Sequence, residues 1–375
     1  MCIFCAQDEI ITRRGYPVEI HNVTTEDGYI ITVFQIPHGK NKSFTSKEQP
    51  RQPVFLLHGV GLNSETFINI GKKSLGFLLA DAGYDVWLGN FRGTTYARNH
   101  TKLSIKESEF WNFSFHEMGT YDIPAQIDFV SDTTQQKIIY IGYSLGTTTA
   151  FIYGTTYPEI AEEKIKTFIC LAPAVFLFGW RSPTKYLFPL WPYIKPVVEL
   201  FTKGMLYLRQ PNHLRSILCL PFPFQMETCQ VIDMLTWGFN YEQNDPETLP
   251  VTLIQNSEAT STKTVSHMIQ IATNGGKFNQ FDYGRNKNKE IYGTPDPQIY
   301  DLSKFRVPVY LVRAENDLLI TKEDVDKLNN SLPEKVKPYD VYVVKNPDFN
   351  HGDFVLARDV VSLLYNHILD IITKF

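Results

Sequence analysis

Short, continuously apolar runs of β-favouring residues, each closed by glycine or a polar turn and followed by a helical pattern, constrain this chain more than any other feature. Val54 to Leu57 ends at His58-Gly59, Asp85 to Leu88 at Gly89-Asn90, Ile138 to Ile141 at Gly142, and Thr167 to Leu171 at Ala172-Pro173. Val309 to Val312 and Val341 to Val344 repeat the pattern near the C-terminus. Runs that do not alternate belong to strands buried on both faces, so the sequence predicts an α/β fold, a mainly parallel central sheet flanked by helices. Gly28 to Ile36 alternates better and reads as an antiparallel start. Between Pro173 and about Tyr300 the rhythm lapses, with eight prolines from Pro173 to Pro223. Residues 175–300 therefore read as an inserted helical cap or lid, and 1–174 with 301–375 as one core split in sequence.

Composition agrees with a packed globule. Of 375 residues, 43% are apolar and 20% charged, too apolar for a disordered chain. Lys+Arg 36 against Asp+Glu 40 leaves −4, with no cationic field to gather nucleic acid. The longest apolar run, Phe168 to Trp180, is interrupted by Pro173 and Gly179 and is too short to span a bilayer. Met1 to Ala6 has no cationic region and too short an apolar stretch for a signal peptide, so the chain as given reads as carrying no export signal. N-x-S/T sequons at Asn22, Asn41, Asn99, Asn112 and Asn329 lean the other way. Among five cysteines, Cys219 and Cys229 are close enough to close a short loop, and Cys170 reads as a buried small hydrophobe. Cys2-x-x-Cys5 has no second pair or His cluster to complete a metal site.

The chemical signal is Gly142-Tyr143-Ser144-Leu145-Gly146, placed between a strand and a helix-forming stretch. The glycines permit a strained strand-to-helix turn that exposes the Ser144 hydroxyl and aims a helix N-terminus at it. Serine needs a base, and the imidazolium so formed needs an anion. On such a sheet the acid and then the histidine follow later strands, an order that Asp317 and His351 supply. Glu315, Asp324, Asp340 and Asp348 are rival acids, and His367 is a rival histidine that reads as part of a terminal helix. Asp353 reads as a cap of that helix. The tetrahedral intermediate needs two N–H donors, one from Leu145 after the nucleophile and one from Val60 in the His58-Gly59-Val60-Gly61 loop. No metal or cofactor is needed, and no protein partner is inferable.

Thr25-Glu26-Asp27-Gly28-Tyr29, Leu57-His58-Gly59, the block Asp81 to Gly93 and Asn350-His351-Gly352-Asp353-Phe354 resemble the acid lipase family, which includes gastric and lysosomal acid lipases. The match runs from about Gly15 to the C-terminus. The resemblance implies an α/β-hydrolase fold with a cap, hydrolysis of acylglycerols or sterol esters, and a secreted or lysosomal location. It puts the nucleophile on Ser144, the acid on Asp317, the base on His351 and the oxyanion donors on Val60 and Leu145. Family members usually read Gly-His-Ser-Gln-Gly at the elbow, so Tyr143 and Leu145 are departures that bear on substrate preference. A family cap disulfide is approximately matched by Cys219 and Cys229, the first displaced by one position.

From Val175 to Gln225, Arg181, Lys185, Lys195, Lys203, Arg209 and Arg215 face a single acid, Glu199, and interleave with aromatics including Trp180, Tyr186, Phe188, Trp191, Tyr193, Phe201, Phe222 and Phe224. Two readings stand: a surface that docks at an oil-water or membrane interface and lines an acyl channel, or aromatics that are the cap's own core beneath a solvated basic face. The expected activity is a serine lipase acting on triacylglycerol, sterol ester or both. A short-chain carboxylesterase and a catalytically silent lipid-binding protein are the alternatives.

Overall fold

The computed structural model describes residues 5–40, 50–208, 217–219, 224–245, 247–248, 250–251 and 257–375. Cys2, Asn41, Arg209, Arg215 and Phe222, singled out above, lie outside the described residues, as does the side chain of Phe224.

The apolar runs become β1 (Glu19–Thr24), β2 (Tyr29–Ile36), β3 (Pro53–Leu57), β4 (Asp85–Gly89), β5 (Asn99–His100), β6 (Ile138–Tyr143), β7 (Ile165–Leu171), β8 (Met205–Tyr207), β9 (Ala259–Ser261), β10 (Val309–Arg313) and β11 (Tyr342–Val343). Among the described residues, nine of these strands form one sheet in the order β1-β2-β4-β3-β6-β7-β10-β11, with β5 beside β2. Pairing is antiparallel from β1 through β2 to β4 and parallel from β4 to β11. Every residue of β3, β4 and β6 is buried, as two-faced burial requires, whereas β2 alternates over its first four positions near the antiparallel edge. The last strand is shorter than the run Val341 to Val344, because only Tyr342 and Val343 find ladder partners on β10.

The parallel strands bring the carboxyl ends of β3, β6, β10 and β11 to one side, where ligands of open α/β sheets sit. Helix α1 (Leu145–Thr156) leaves directly from β6 and is buried over nearly its whole length. All the main-sheet strands lie outside residues 175–300. That stretch holds α2 (Trp191–Thr202), α3 (Phe224–Trp237), the antiparallel pair β8–β9 and α4 (Thr262–Thr273). Cys219 is bonded to Cys229 of α3. Helix α4 starts at Ser261, whose hydroxyl accepts the Thr264 N–H at 2.9 Å, a standard N-cap. It is joined to the sheet side by the Lys263–Glu117 ion pair at 2.8 Å and by His267, stacked on Phe115 at 3.8 Å between centroids.

Among the described residues, no helix is long and apolar enough to cross a membrane. Cys170 is free and buried, while Cys5 is disulfide-bonded and so unavailable as a metal ligand.

Candidate active site

At the end of β6 the backbone turns sharply enough to put Ser144 at φ +52°, a region that costs a residue with a side chain about 1 kcal/mol or more. The flanking glycines are required by close approach. A Cβ on Gly142 would stand 2.8 Å from the Gly146 carbonyl, and one on Gly146 would stand 2.4 Å from the Leu57 carbonyl oxygen. Ser144 N–H donates to Leu171 O at 2.9 Å, and the Ser144 carbonyl accepts from Thr147 N and Thr147 Oγ1. Thr147 Oγ1 in turn accepts the Ala174 N–H at 2.9 Å, so the turn is pinned from both sides.

His351 and Asp317 arrive from loops after β11 and β10. His351 Nε2 lies 3.0 Å from Ser144 Oγ, and His351 Nδ1 lies 2.7 Å from Asp317 Oδ2. Asp317 Oδ1 accepts the N–H groups of Leu319 and Ile320, both at 2.8 Å, which leaves Oδ2 aimed at the ring. All three side chains are buried.

The rivals are occupied elsewhere. Glu315 pairs with Arg313, and Asp324 holds Thr321 and the Gly179 N–H. Asp340 and Asp348 are exposed, and His367 Nε2 sits 2.7 Å from the Tyr310 hydroxyl. Asp353 is a correction: it does not cap the C-terminal helix Asn366–Ile372 but opens the short helix Asp353–Leu356. Its carboxylate accepts Asn350 N–H at 3.0 Å and Asn240 Nδ2 at 2.7 Å, and burial pushes it up to about 6.

The β3 loop lies against Ser144, since a Cβ on Gly59 would stand 3.1 Å from Ser144 Cβ. Leu145 opens α1, so its N–H is among the first of the helix and has no carbonyl one turn back within it. His58 in the same loop is buried, and burial pulls it down to about 4, so it stays neutral at mildly acidic pH. Its Nδ1–H donates to Gly59 O at 2.8 Å.

Val60, Leu145, Ser144 and His351 open on one cavity of about 540 Å³. Its wall is mostly apolar, with Leu187, Phe188, Trp191, Ile194, Ile232 and Met268 facing it from between β7 and β10. Every predicted site residue thus comes together at one place. Sequence reasoning saw Tyr143 only as a departure, yet its hydroxyl donates to the His351 carbonyl at 2.8 Å, a pairing that no sequence spacing announces.

A profile of the alpha/beta hydrolase fold matches residues 52–356, and one of a partial alpha/beta-hydrolase lipase region matches residues 7–71. Gastric triacylglycerol lipase of Bos taurus is 38% identical over 98% of this chain and 90% of its own length. The chain belongs to the acid lipase family. Other relatives of the chain are lipase member K of Mus musculus, 37% identical over 98% of this chain and 90% of its own, and lipase 1 of Drosophila melanogaster, 35% identical over 98% and 79%. The fold is also that of a soluble variant of the monoglyceride lipase of Saccharomyces cerevisiae, at TM-score 0.53, 14% identity, and 96% and 98% coverage.

Proposed function

We propose that this acid lipase family member is a serine lipase that hydrolyses carboxylic esters of lipids, triacylglycerol, sterol ester or both, through an acyl-enzyme. The observation that carries the reading is the Ser144–His351–Asp317 relay opening on a large apolar cavity. His351 Nε2 takes the Ser144 proton as the oxygen attacks the ester carbonyl, and Asp317 stabilises the imidazolium. Leu145 and Val60 N–H groups receive the oxyanion. The alcohol leaves with the proton from His351, and water repeats the sequence on the acyl-enzyme. The lipase names of the full-length relatives support the same chemistry.

Residues 175–300 serve as a cap over a core formed by 1–174 and 301–375. Aromatics of the cap divide between two surfaces, which favours the docking reading over a closed aromatic core. Trp180, Phe188 and Trp191 line the cavity, whereas Tyr186, Tyr193 and Phe201 face outward, Tyr193 at 78% and Phe201 at 79% exposure. Leu187, Leu190, Val197 and Leu200 extend that exposed apolar surface, with Lys185 and Lys203 also exposed. An apolar face of this kind beside basic charge suits a lipid interface. The Cys219–Cys229 bond supports an oxidising compartment and hence a secreted or lysosomal location.

The test is hydrolysis of emulsified long-chain triacylglycerol and sterol ester at pH 5 and pH 7.5 by wild type and Ser144→Ala. Wild-type activity that falls by about 10⁴-fold or more in the variant is expected. Turnover of a soluble short-chain ester alone supports the carboxylesterase instead, and no turnover at all supports the silent lipid binder.

A further inference from the structure

The last residue of α3 and the three that follow it, Trp237–Asn240, run between the loop carrying Asp317 and the loop carrying His351, and each of the four is bonded to one or both. Trp237 O accepts Leu318 N–H at 3.3 Å and His351 N–H at 3.4 Å. Gly238 O accepts Asn350 Nδ2 at 2.9 Å, and Phe239 O accepts Asn316 Nδ2 at 2.8 Å. Asn240 Nδ2 donates to Asp353 Oδ2 at 2.7 Å, and that same oxygen receives the Asn350 N–H.

The fit leaves no room for side chains at two positions. Gly238 has φ +122°, and a Cβ there would stand 2.2 Å from Asn316 O and 2.8 Å from Asn350 Cβ. On the other side, a Cβ on Gly352 would stand 2.4 Å from Trp237 Cε3, so the residue after the histidine is flattened against the tryptophan. Helix α3 also contributes Ile232, Thr236 and Trp237 to the cavity wall. One continuous segment therefore touches the substrate space at one end and both triad loops at the other.

We infer that Trp237–Asn240 is a positioning segment that holds Asp317 and His351 in register with Ser144 and couples what lies beneath α3 to the acid–base pair. The inference rests on the serine-hydrolase reading above. The acid and base sit on separate loops 34 residues apart, joined directly beside the pair by Asn316, whose N–H donates to Phe349 O at 3.2 Å and whose Nδ2 donates to Asp348 O at 3.1 Å; their 2.7 Å contact depends on the relative placement set by this join together with the Trp237–Asn240 segment. An error of about 1 Å in such a placement costs on the order of 100-fold in rate.

The experiment compares wild type, Gly238→Ala and Asn240→Ala by thermal melting, by kcat and KM on a soluble short-chain p-nitrophenyl ester, and by the rate and stoichiometry of Ser144 phosphonylation by a p-nitrophenyl alkylphosphonate. The expected result is folded protein labelled one to one, an unchanged KM, and kcat and phosphonylation rate down about 100-fold for Gly238→Ala and about 10-fold for Asn240→Ala. The downfield proton resonance of the His351–Asp317 hydrogen bond is expected to shift or broaden in both. Wild-type rates in the folded variants, or losses that only track the fraction of titratable sites, overturn the inference. Should Gly238→Ala fail to fold, Asn240→Ala decides, because it removes an amide without creating a clash. A wild type that neither turns over the ester nor takes the phosphonate overturns the serine-hydrolase reading, and this inference with it; a reactive wild type beside equally reactive variants overturns the inference alone.

Discussion

The Tyr143 hydroxyl donates to the main-chain carbonyl of His351 at 2.8 Å, tying the residue before the proposed nucleophile to the proposed base across 208 positions of sequence. The two rings also lie 5.3 Å apart between centroids, so Tyr143 supports the imidazole from the side as well as holding its backbone. Tyr143→Phe keeps the ring and deletes the bond, leaving a buried carbonyl short of a donor. If the lost bond, worth about 1 kcal/mol or more, is felt in the placement of His351, kcat is expected to fall by roughly fivefold or more with KM unchanged on a soluble ester. Equal kcat values for the two proteins count against a positioning role for the hydroxyl.

The exposed surface of α2 makes a separate prediction. Tyr193→Ser with Phe201→Ser removes two outward aromatics that line no part of the cavity. Each aromatic transferred from water is worth about 1.5–3 kcal/mol, so adsorption to emulsion droplets is expected to weaken by at least about tenfold. Activity on a dissolved short-chain ester should stay at the wild-type level. Binding isotherms on triacylglycerol emulsions, set beside soluble-ester kinetics, check both halves.

Buried carboxyls make stability pH-dependent. Burial, with Glu258 adding to it, pushes Glu65 up to about 7, and burial pushes Asp85 and Asp353 up to about 6. A carboxyl whose folded pKa is raised contributes stability that is fully present below its unfolded value of about 4 and is lost as pH rises from there through the folded value of about 6 to 7. Glu117 has the opposite sign: its burial is outweighed by Lys263 and His116, which hold it down at about 2, so its contribution is lost as pH falls from about 4 toward 2. Glu65→Gln should flatten the fall in melting temperature between about pH 4 and 7 and leave the slope above about pH 7 unchanged. An unaltered slope in melts across that range would remove Glu65 from the account.

The Cys219–Cys229 bond closes a loop with a sequence separation of 10 and ties the chain ahead of α3 to that helix. Loop-closure entropy for so short a loop is worth about 2–3 kcal/mol. Cys219→Ala with Cys229→Ala is expected to lower unfolding free energy by that order in denaturant titrations. Because α3 leads into Trp237–Asn240, the same variant should lose activity on heating before the sheet melts.

Much of the architecture was legible from local rules, because they are written in consecutive residues. Two-faced burial makes Val54 to Leu57 and Ile138 to Ile141 uniformly apolar, and the steric demands of the elbow place Gly142 and Gly146 around Ser144. The strand-by-strand order of a parallel sheet likewise limits where an acid and a histidine can follow a nucleophile. Sequence alone therefore determined the sheet and pointed to Ser144, Asp317 and His351. Only the tertiary structure put Asp317 rather than Glu315, and His351 rather than His367, in one hydrogen-bonded chain with Ser144, each rival being bonded to another partner. It alone divided the aromatics of residues 175–300 between cavity and solvent. Tyr143 and Trp237–Asn240 were invisible to sequence for the same reason: hydrogen bonds between residues 77 to 208 positions apart leave no local pattern, and such bonds exist only once the chain has folded.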